Sequence, residues 1–214
     1  MNHLRIHNTK DCVRTLGPGT RFVVWLQGCN RRCKGCMSPE SRPIDGGTLI
    51  SVEYLVNEIC SVNDIEGVTI SGGEPFLQTE ALHELLAGLR KKSNLGVIIY
   101  TGFTLDELHG LNNPLIENII SSLSDIIIDG EYIEDLNDGT SLKGSANQVV
   151  HYITDRYLPF QDIYEGTSRN VEVFVEDGEA FLVGVPNKET LESWKTAVQM
   201  IPVSKRHKNE ESAL

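Results

Sequence analysis

Three cysteines crowd the stretch QGCNRRCKGC, residues 27–36: Cys29, Cys33 and Cys36, spaced C-x3-C-x2-C. Thiols this close suit a soft metal centre, and in a reducing compartment they belong to metal or redox chemistry more often than to disulfides. A structural zinc site closes with four protein ligands in paired C-x2-C units. An electron-transfer iron–sulfur site of the usual kind takes four cysteines. Here no fourth cysteine follows nearby, and His3 and His7, the candidates for a closing zinc ligand, precede the first expected strand. The pattern favours a cubane held by three thiolates, with one iron open to a ligand from outside, over zinc or coincidence.

Four further clusters carry chemistry-bearing residues. In SGGEP (71–75), Gly72 and Gly73 lack Cβ atoms and would let a ligand lie against the backbone. Glu74 offers a carboxylate for an ammonium group, and Pro75 stops the strand. Alone, this stretch is equally a strand-to-helix turn. Thr101 and Gly102 either line a pocket or lead into a helix capped by Thr104. Asp129 ends an apolar strand and is either on a rim or paired in the core. KGSANQ (143–148) combines a cation, a hydroxyl and two amides in a loop that is either ligand-facing or solvated.

The elements that must position these residues are short apolar runs separated by helical patterns. RFVVWLQ (21–27), GVTIS (67–71), GVIIY (96–100) and DIIID (125–129) read as strands. Helical spacing covers 51–62 and 79–92, the second with Thr79 as a candidate N-cap, and a helix broken near Asn112-Asn113-Pro114 follows. Such alternation indicates a parallel sheet covered on both faces. QVVHYI (148–153) is a candidate fifth strand after a long polar loop. VEVFVEDGEAFLVGV (171–185) reads as a hairpin turning at Asp177-Gly178, and 187–200 as a helix with Asn187 as cap. The tail from Val203 reads as disordered. Cysteines, SGGEP, Thr101-Gly102 and Asp129 each follow a strand, and the carboxyl ends of parallel strands are where such sheets bind ligands.

Composition bounds the reading. The chain has 214 residues and a net charge of −11, which argues against broad binding to nucleic acid or anionic lipid. It has no apolar run of the roughly 20 residues that a membrane helix needs and no apolar leader at its start, so a cytoplasmic location is expected. Arg31, Arg32 and Lys34 form a local basic patch that would balance a cluster's charge or dock an electron donor. Cys60, in VEYLVNEIC, reads as a core residue, and Cys12 has no assignment.

Taken together, these motifs resemble the radical S-adenosylmethionine superfamily, whose signature is C-x3-C-x2-C followed by a Gly-Gly-Glu turn. Within it the chain is most similar to the glycyl-radical-activating enzymes, above all the activases of anaerobic ribonucleotide reductases. GPGTR (17–21), QGCNRRCKGC, SPE (38–40), SGGEPFLQ (71–78), YTGFTLDEL (100–108), DIIIDGEY (125–132) and LKGSANQ (142–148) carry the likeness, which covers about residues 12–150. It departs at Leu16, where an acidic residue is common, at Met37-Ser38, where Trp-Asn is common, and at Lys143, where Arg is usual.

The resemblance implies an α/β fold: a partial open (β/α) barrel with mostly parallel strands, extended here by the C-terminal β-hairpin and short helix. The barrel domain would span 1–186, the helix 187–202 and the tail 203–214. Cys29, Cys33 and Cys36 would bind a [4Fe–4S] cluster. Gly72, Gly73 and Glu74 would hold the methionine amine of S-adenosylmethionine, with Thr101 and Asp129 near its methionine or ribose parts. Reductive cleavage would yield a 5′-deoxyadenosyl radical to abstract hydrogen from a glycyl radical enzyme or another protein or peptide, with an electron donor such as flavodoxin or ferredoxin. Two competing readings are a radical enzyme for a different peptide or small molecule, with residues 150–200 recognising it, and a non-catalytic iron–sulfur module.

Overall fold

The structure, a computed structural model, describes residues 2–164, 166, 169–176 and 179–200. The Asp177-Gly178 turn and the tail from Val203 lie outside the described residues. A seven-stranded sheet runs in the order β3 (Thr48–Ser51), β1 (His3–Val13), β2 (Arg21–Leu26), β4 (Gly67–Gly72), β5 (Gly96–Tyr100), β6 (Ile126–Asp129), β7 (Val149–Tyr152). The four central strands β2, β4, β5 and β6 are parallel, and β1, β3 and β7 pair antiparallel on the flanks. The order is linear with β3 and β7 at its ends, so the sheet stays open.

Alternation along the strands sorts two faces. Val97 and Ile99 of β5 join the large core with α1 (Val52–Ser61), α2 (Thr79–Lys92) and the broken helix α3 (Leu105–Gly110) and α4 (Pro114–Asn118), whose last residues run into a wider turn at Ile119–Leu123. Ile98 and Tyr100 point to the other face, where Val23, Trp25, Ile126 and Ile128 also lie. A second, two-stranded sheet of β8 (Val171–Glu176) and β9 (Glu179–Gly184) packs there through Phe174, Phe181 and Val183. A short helix α5 (Gln161–Tyr164) precedes this hairpin, and α6 (Lys188–Met200) follows it. Among the described residues no helix is long and apolar enough to cross a membrane.

Local chemistry explains the element ends. Thr104 caps α3 in a reciprocal box with Glu107. Asn187 caps α6, its side chain accepting from Thr190 N at 2.7 Å. Thr79, expected as the cap of α2, is instead its first residue, and its hydroxyl donates to the Phe76 carbonyl at 2.7 Å. A helical turn at Pro75–Gln78 enters α2 directly, so the chain arrives already coiled. Cys60 is half-buried and packs on the main core, whereas Cys12 is exposed at a bulge of β1 with φ of +58°.

Asp125 joins four elements at the end of the sheet opposite the cysteines. Its carboxylate accepts from Arg90 at 2.7 Å, from Val97 N at 2.8 Å and from the Thr154 hydroxyl at 2.7 Å. Burial pushes this carboxyl up, but the three donors and the Arg90 charge outweigh burial and hold it below its ordinary value. A depressed folded-state value means that stability from this group is present above its unfolded value, near pH 4, and is lost as pH falls through the folded value. Asp125→Asn keeps the shape but strands a donor and weakens the ion pair. It is expected to cost about 3 kcal/mol at neutral pH and to flatten the loss of stability in acid, measured by urea unfolding from neutral pH down to about pH 3.

Candidate functional site

One cavity of about 350 Å³ opens at the carboxyl ends of the parallel strands. Cys29, Cys33, Cys36, Gly72, Gly73, Glu74 and Thr101 all line it. Sequence-distant loops after β2, β4 and β5 therefore meet at one place, as their strand-end positions imply.

The cysteine loop is held from two sides. From behind, Gly73 N donates to Leu26 O at 2.7 Å and Glu74 N to Gly28 O at 2.8 Å, tying the SGGEP turn to the residues leading into Cys29. This contact explains the glycines more directly than an approaching ligand does. A Cβ on Gly72 would lie 2.5 Å from Leu26 N, and one on Gly73 would strike the Gly28 carbonyl. Gly72 also has φ of +99°, which L side chains rarely adopt. From the front, Arg31 reaches Glu107 at 2.9 Å and Glu131 at 3.8 Å and sits 4.6 Å over the Phe103 ring. Lys34 pairs with Glu134 at 3.1 Å. Arg31 and Lys34, two cations of the basic patch, thus pin the loop to the body of the protein, each exposed pair adding little on its own.

Glu74 is 1% exposed and aims its carboxylate across the gap to the next strand end. One oxygen accepts from the Thr101 hydroxyl at 2.8 Å and Phe76 N at 3.1 Å, and the other from Gly102 N at 2.8 Å. Burial pushes its carboxyl up, partly offset by those three donors. The carboxylate that sequence assigns to a ligand's ammonium group thus also locks the Thr101-Gly102 turn against SGGEP, leaving acceptor capacity on the oxygen facing Gly102.

Asp129 is placed differently from expectation. It does not line the cavity; its carboxylate accepts from Leu105 N at 2.7 Å and lies 3.0 Å from His151 Nε2. It caps α3 from below and stays 4% exposed, while its neighbour Gly130 reaches the cavity. The KGSANQ loop likewise spends its polar groups internally. Gln148 accepts from Gly144 N at 2.7 Å and donates to Gly130 O at 2.7 Å, and Asn147 donates to Glu131 O at 2.8 Å. Gly144 and Gln148 still border the cavity.

Sequence reasoning missed several lining residues: Trp25, Tyr100, Tyr132 and the run Phe181–Val185. Tyr100 was findable, since it shares a strand face with Ile98 and precedes Thr101. Its hydroxyl is buried and finds no partner among the described residues. The hairpin carries no local signal of where it docks.

The donor set tests what the cavity fits. The three thiols border one space, and burial first, then the Glu131 carboxylate, pushes the Cys33 thiol up to about 11. Cys29 is raised too, chiefly by burial. Among the described residues no three His, Cys, Asp or Glu side chains converge as ligands of a single metal ion. His7 borders the cavity, but its Nδ1 lies 3.1 Å from Gln27 Oε1, and His3 sits in β1 opposite Ser51. Three thiols bordering one cavity, with no fourth cysteine beside them, suit an iron–sulfur cluster with an open position better than a closed zinc site.

Comparison with known proteins agrees. Residues 15–151 match the family described as a 4Fe-4S single cluster domain. The chain is 30% identical over 159 residues to the anaerobic ribonucleoside-triphosphate reductase-activating protein of Haemophilus influenzae, covering 71% of this chain and 97% of that protein. To the Salmonella typhimurium protein of the same name it is 29% identical over 146 residues, covering 64% and 91%. To the pyruvate formate-lyase 1-activating enzyme of Escherichia coli K12 it is 28% identical over 139 residues, covering 63% and 53%. A crystal structure of QueE from Escherichia coli aligns over 48% of this chain and 54% of that one, with a TM-score of 0.41 and 20% identity.

Proposed function

This chain belongs to the 4Fe-4S single cluster domain family, among the radical S-adenosylmethionine activating enzymes, and from that premise we propose that it installs a glycyl radical on a partner enzyme. The partner in this reading is an anaerobic ribonucleotide reductase, as in the names of the Haemophilus influenzae and Salmonella typhimurium relatives. Its cofactors are a [4Fe–4S] cluster and S-adenosylmethionine. When bound, they supply one-electron cleavage of the C5′–S bond, giving methionine and a 5′-deoxyadenosyl radical that abstracts a hydrogen atom.

The residues of the cavity divide that work. Cys29, Cys33 and Cys36 hold the cluster as thiolates. Gly72, Gly73 and Glu74 hold the methionine amine, Glu74 through the acceptor capacity left on its buried carboxylate. Thr101 and Gly102 fix that carboxylate's orientation. Asp129 acts one step back, positioning the α3 entrance rather than touching the cosubstrate. Arg31 keeps the cysteine loop against α3, and exposed Lys34 offers a contact for an acidic electron donor such as flavodoxin or ferredoxin. The apolar wall of Trp25, Tyr100 and Val183 excludes water from the radical.

The observation that carries this reading is the meeting of three thiols, the Gly-Gly-Glu turn and Thr101 in a single cavity. The experiment is to reconstitute the cluster without oxygen, add reductant, S-adenosylmethionine and the reductase, and record the electron paramagnetic resonance spectrum of the reductase. A doublet of a glycyl radical supports the assignment, and cleavage with no radical on the reductase refutes the choice of partner.

A further inference from the structure

The cavity has a wall that the family match does not reach. The match ends at residue 151, yet Phe181, Leu182, Val183, Gly184 and Val185 border the same space as the cysteines. A strand that covers a cavity with one face presents every second side chain. Five consecutive residues, one of them a glycine with no side chain, border it when the cavity runs along the strand's edge.

The other edge of β9 is taken. It pairs with β8 from Val171↔Gly184 to Glu176↔Glu179, and the two strands form a sheet of their own. Among the described residues no strand pairs with its second edge, and no residue of β8 borders the cavity, so the edge along the cavity is the unpaired one. Natural edges are blunted by charge, proline, bulges or a covering element. Glu179 at the turn end is the one charged residue of β9; the part along the cavity, Phe181–Val185, contains no charge and no proline, and Pro186 closes the stretch.

The wall is fixed in place. Glu172 accepts from Arg14 N at 2.8 Å and from the Thr15 hydroxyl at 3.0 Å. Phe174 and Phe181 stack at 6.0 Å, with Lys10 over Phe174, and Val183 is 3% exposed against Val13, Leu16 and Val23. Tyr100 borders the same cavity, and its buried hydroxyl has no hydrogen-bond partner among the described residues.

We propose that the free edge of β9 receives the substrate polypeptide as an added strand, main chain to main chain, and so carries a glycine of an extended segment past Tyr100 to the reacting centre. This rests on the reading of the chain as a glycyl-radical activase. The occupant follows from the edge's continuity with the cavity and from the chemistry of the target. Glycine has no side chain to grip, so recognition must fall on its backbone, and strand addition supplies main-chain hydrogen bonds with alternate neighbours setting specificity.

The test uses the full-length protein with its cluster reconstituted and a fluorescent, end-blocked peptide, Thr-Val-Thr-Gly-Thr-Val-Thr. A companion set carries a single backbone N-methyl group at each position in turn. Binding is read by anisotropy, which needs no radical chemistry and so stays readable if S-adenosylmethionine cleavage fails. Strand addition predicts a period of two: methyl groups at alternate positions weaken binding about tenfold or more, and those between change it less than about twofold. Uniform tolerance, sensitivity without alternation, or no binding of the parent peptide would overturn the proposal. So would a dimer of this chain, seen by sedimentation, that excludes the peptide by pairing β9 with its own copy.

Discussion

Replacing Cys33 with alanine is expected to abolish cluster assembly and S-adenosylmethionine cleavage while leaving the fold in place. The thiol sits in a loop between β2 and β3, half-buried, and contributes to none of the hydrophobic clusters. Removing one sulfur there should change stability by less than about 1 kcal/mol, as for other positions outside a packed core. Function should respond far more. A cubane already limited to three thiolates would be left with two, and product formation should fall by more than about a thousandfold, over 4 kcal/mol of activation free energy. Iron and sulfide content, visible absorbance and 5′-deoxyadenosine measured on one preparation separate these effects. A Cys33→Ala protein that loads a full cluster and turns over would show that the ligand set lies elsewhere.

Glu74→Gln is expected to have the second largest effect, and for a different reason. The carboxylate accepts three hydrogen bonds across both its oxygens. A glutamine amide of the same shape turns one acceptor into a donor. It must then face either Gly102 N or the pair formed by Phe76 N and the Thr101 hydroxyl. A buried donor left without an acceptor costs about 1–3 kcal/mol, and the Thr101-Gly102 turn loosens from SGGEP. The lost negative charge also removes the partner of the cosubstrate's ammonium group. Urea unfolding should show destabilisation of about 2 kcal/mol, and the KM for S-adenosylmethionine should rise by about tenfold or more. Iron content should stay at the wild-type level, because the cysteines are intact. A variant with unchanged KM would remove Glu74 from the binding role.

The parts of this molecule that follow a periodic rule were readable from sequence. The four parallel strands are short, mostly apolar runs rich in valine and isoleucine. The cysteine spacing and the SGGEP turn are local and specific. Strand β1 escaped because Arg5, Asn8, Lys10 and Asp11 interrupt its apolar residues and two register shifts break its period of two. Strand β3 is four residues with exposed Thr48 and Leu49. Sequence left Asp129 open between rim and core, because a carboxylate at a strand end looks the same whether it faces a ligand or caps a neighbouring helix. The glycines of SGGEP have a second neighbour that no local pattern shows: the backbone of residues 25–28 lies where a Cβ on either would sit, while both still border the cavity. The docking of the hairpin on the cavity depends on Glu172 meeting Arg14 and Thr15, 157 residues or more away in sequence. No local pattern encodes it.

In the reading above, three thiolates in this cavity support reductive cleavage of S-adenosylmethionine. The most direct measurement is chromatographic assay of 5′-deoxyadenosine and methionine from the anaerobically reconstituted, reduced wild-type protein, with and without the reductase. Both products are expected in equal amounts, in quantities exceeding the protein. A fully loaded, reduced cluster that yields neither product, even with the reductase present, would contradict it and leave a non-catalytic iron–sulfur module.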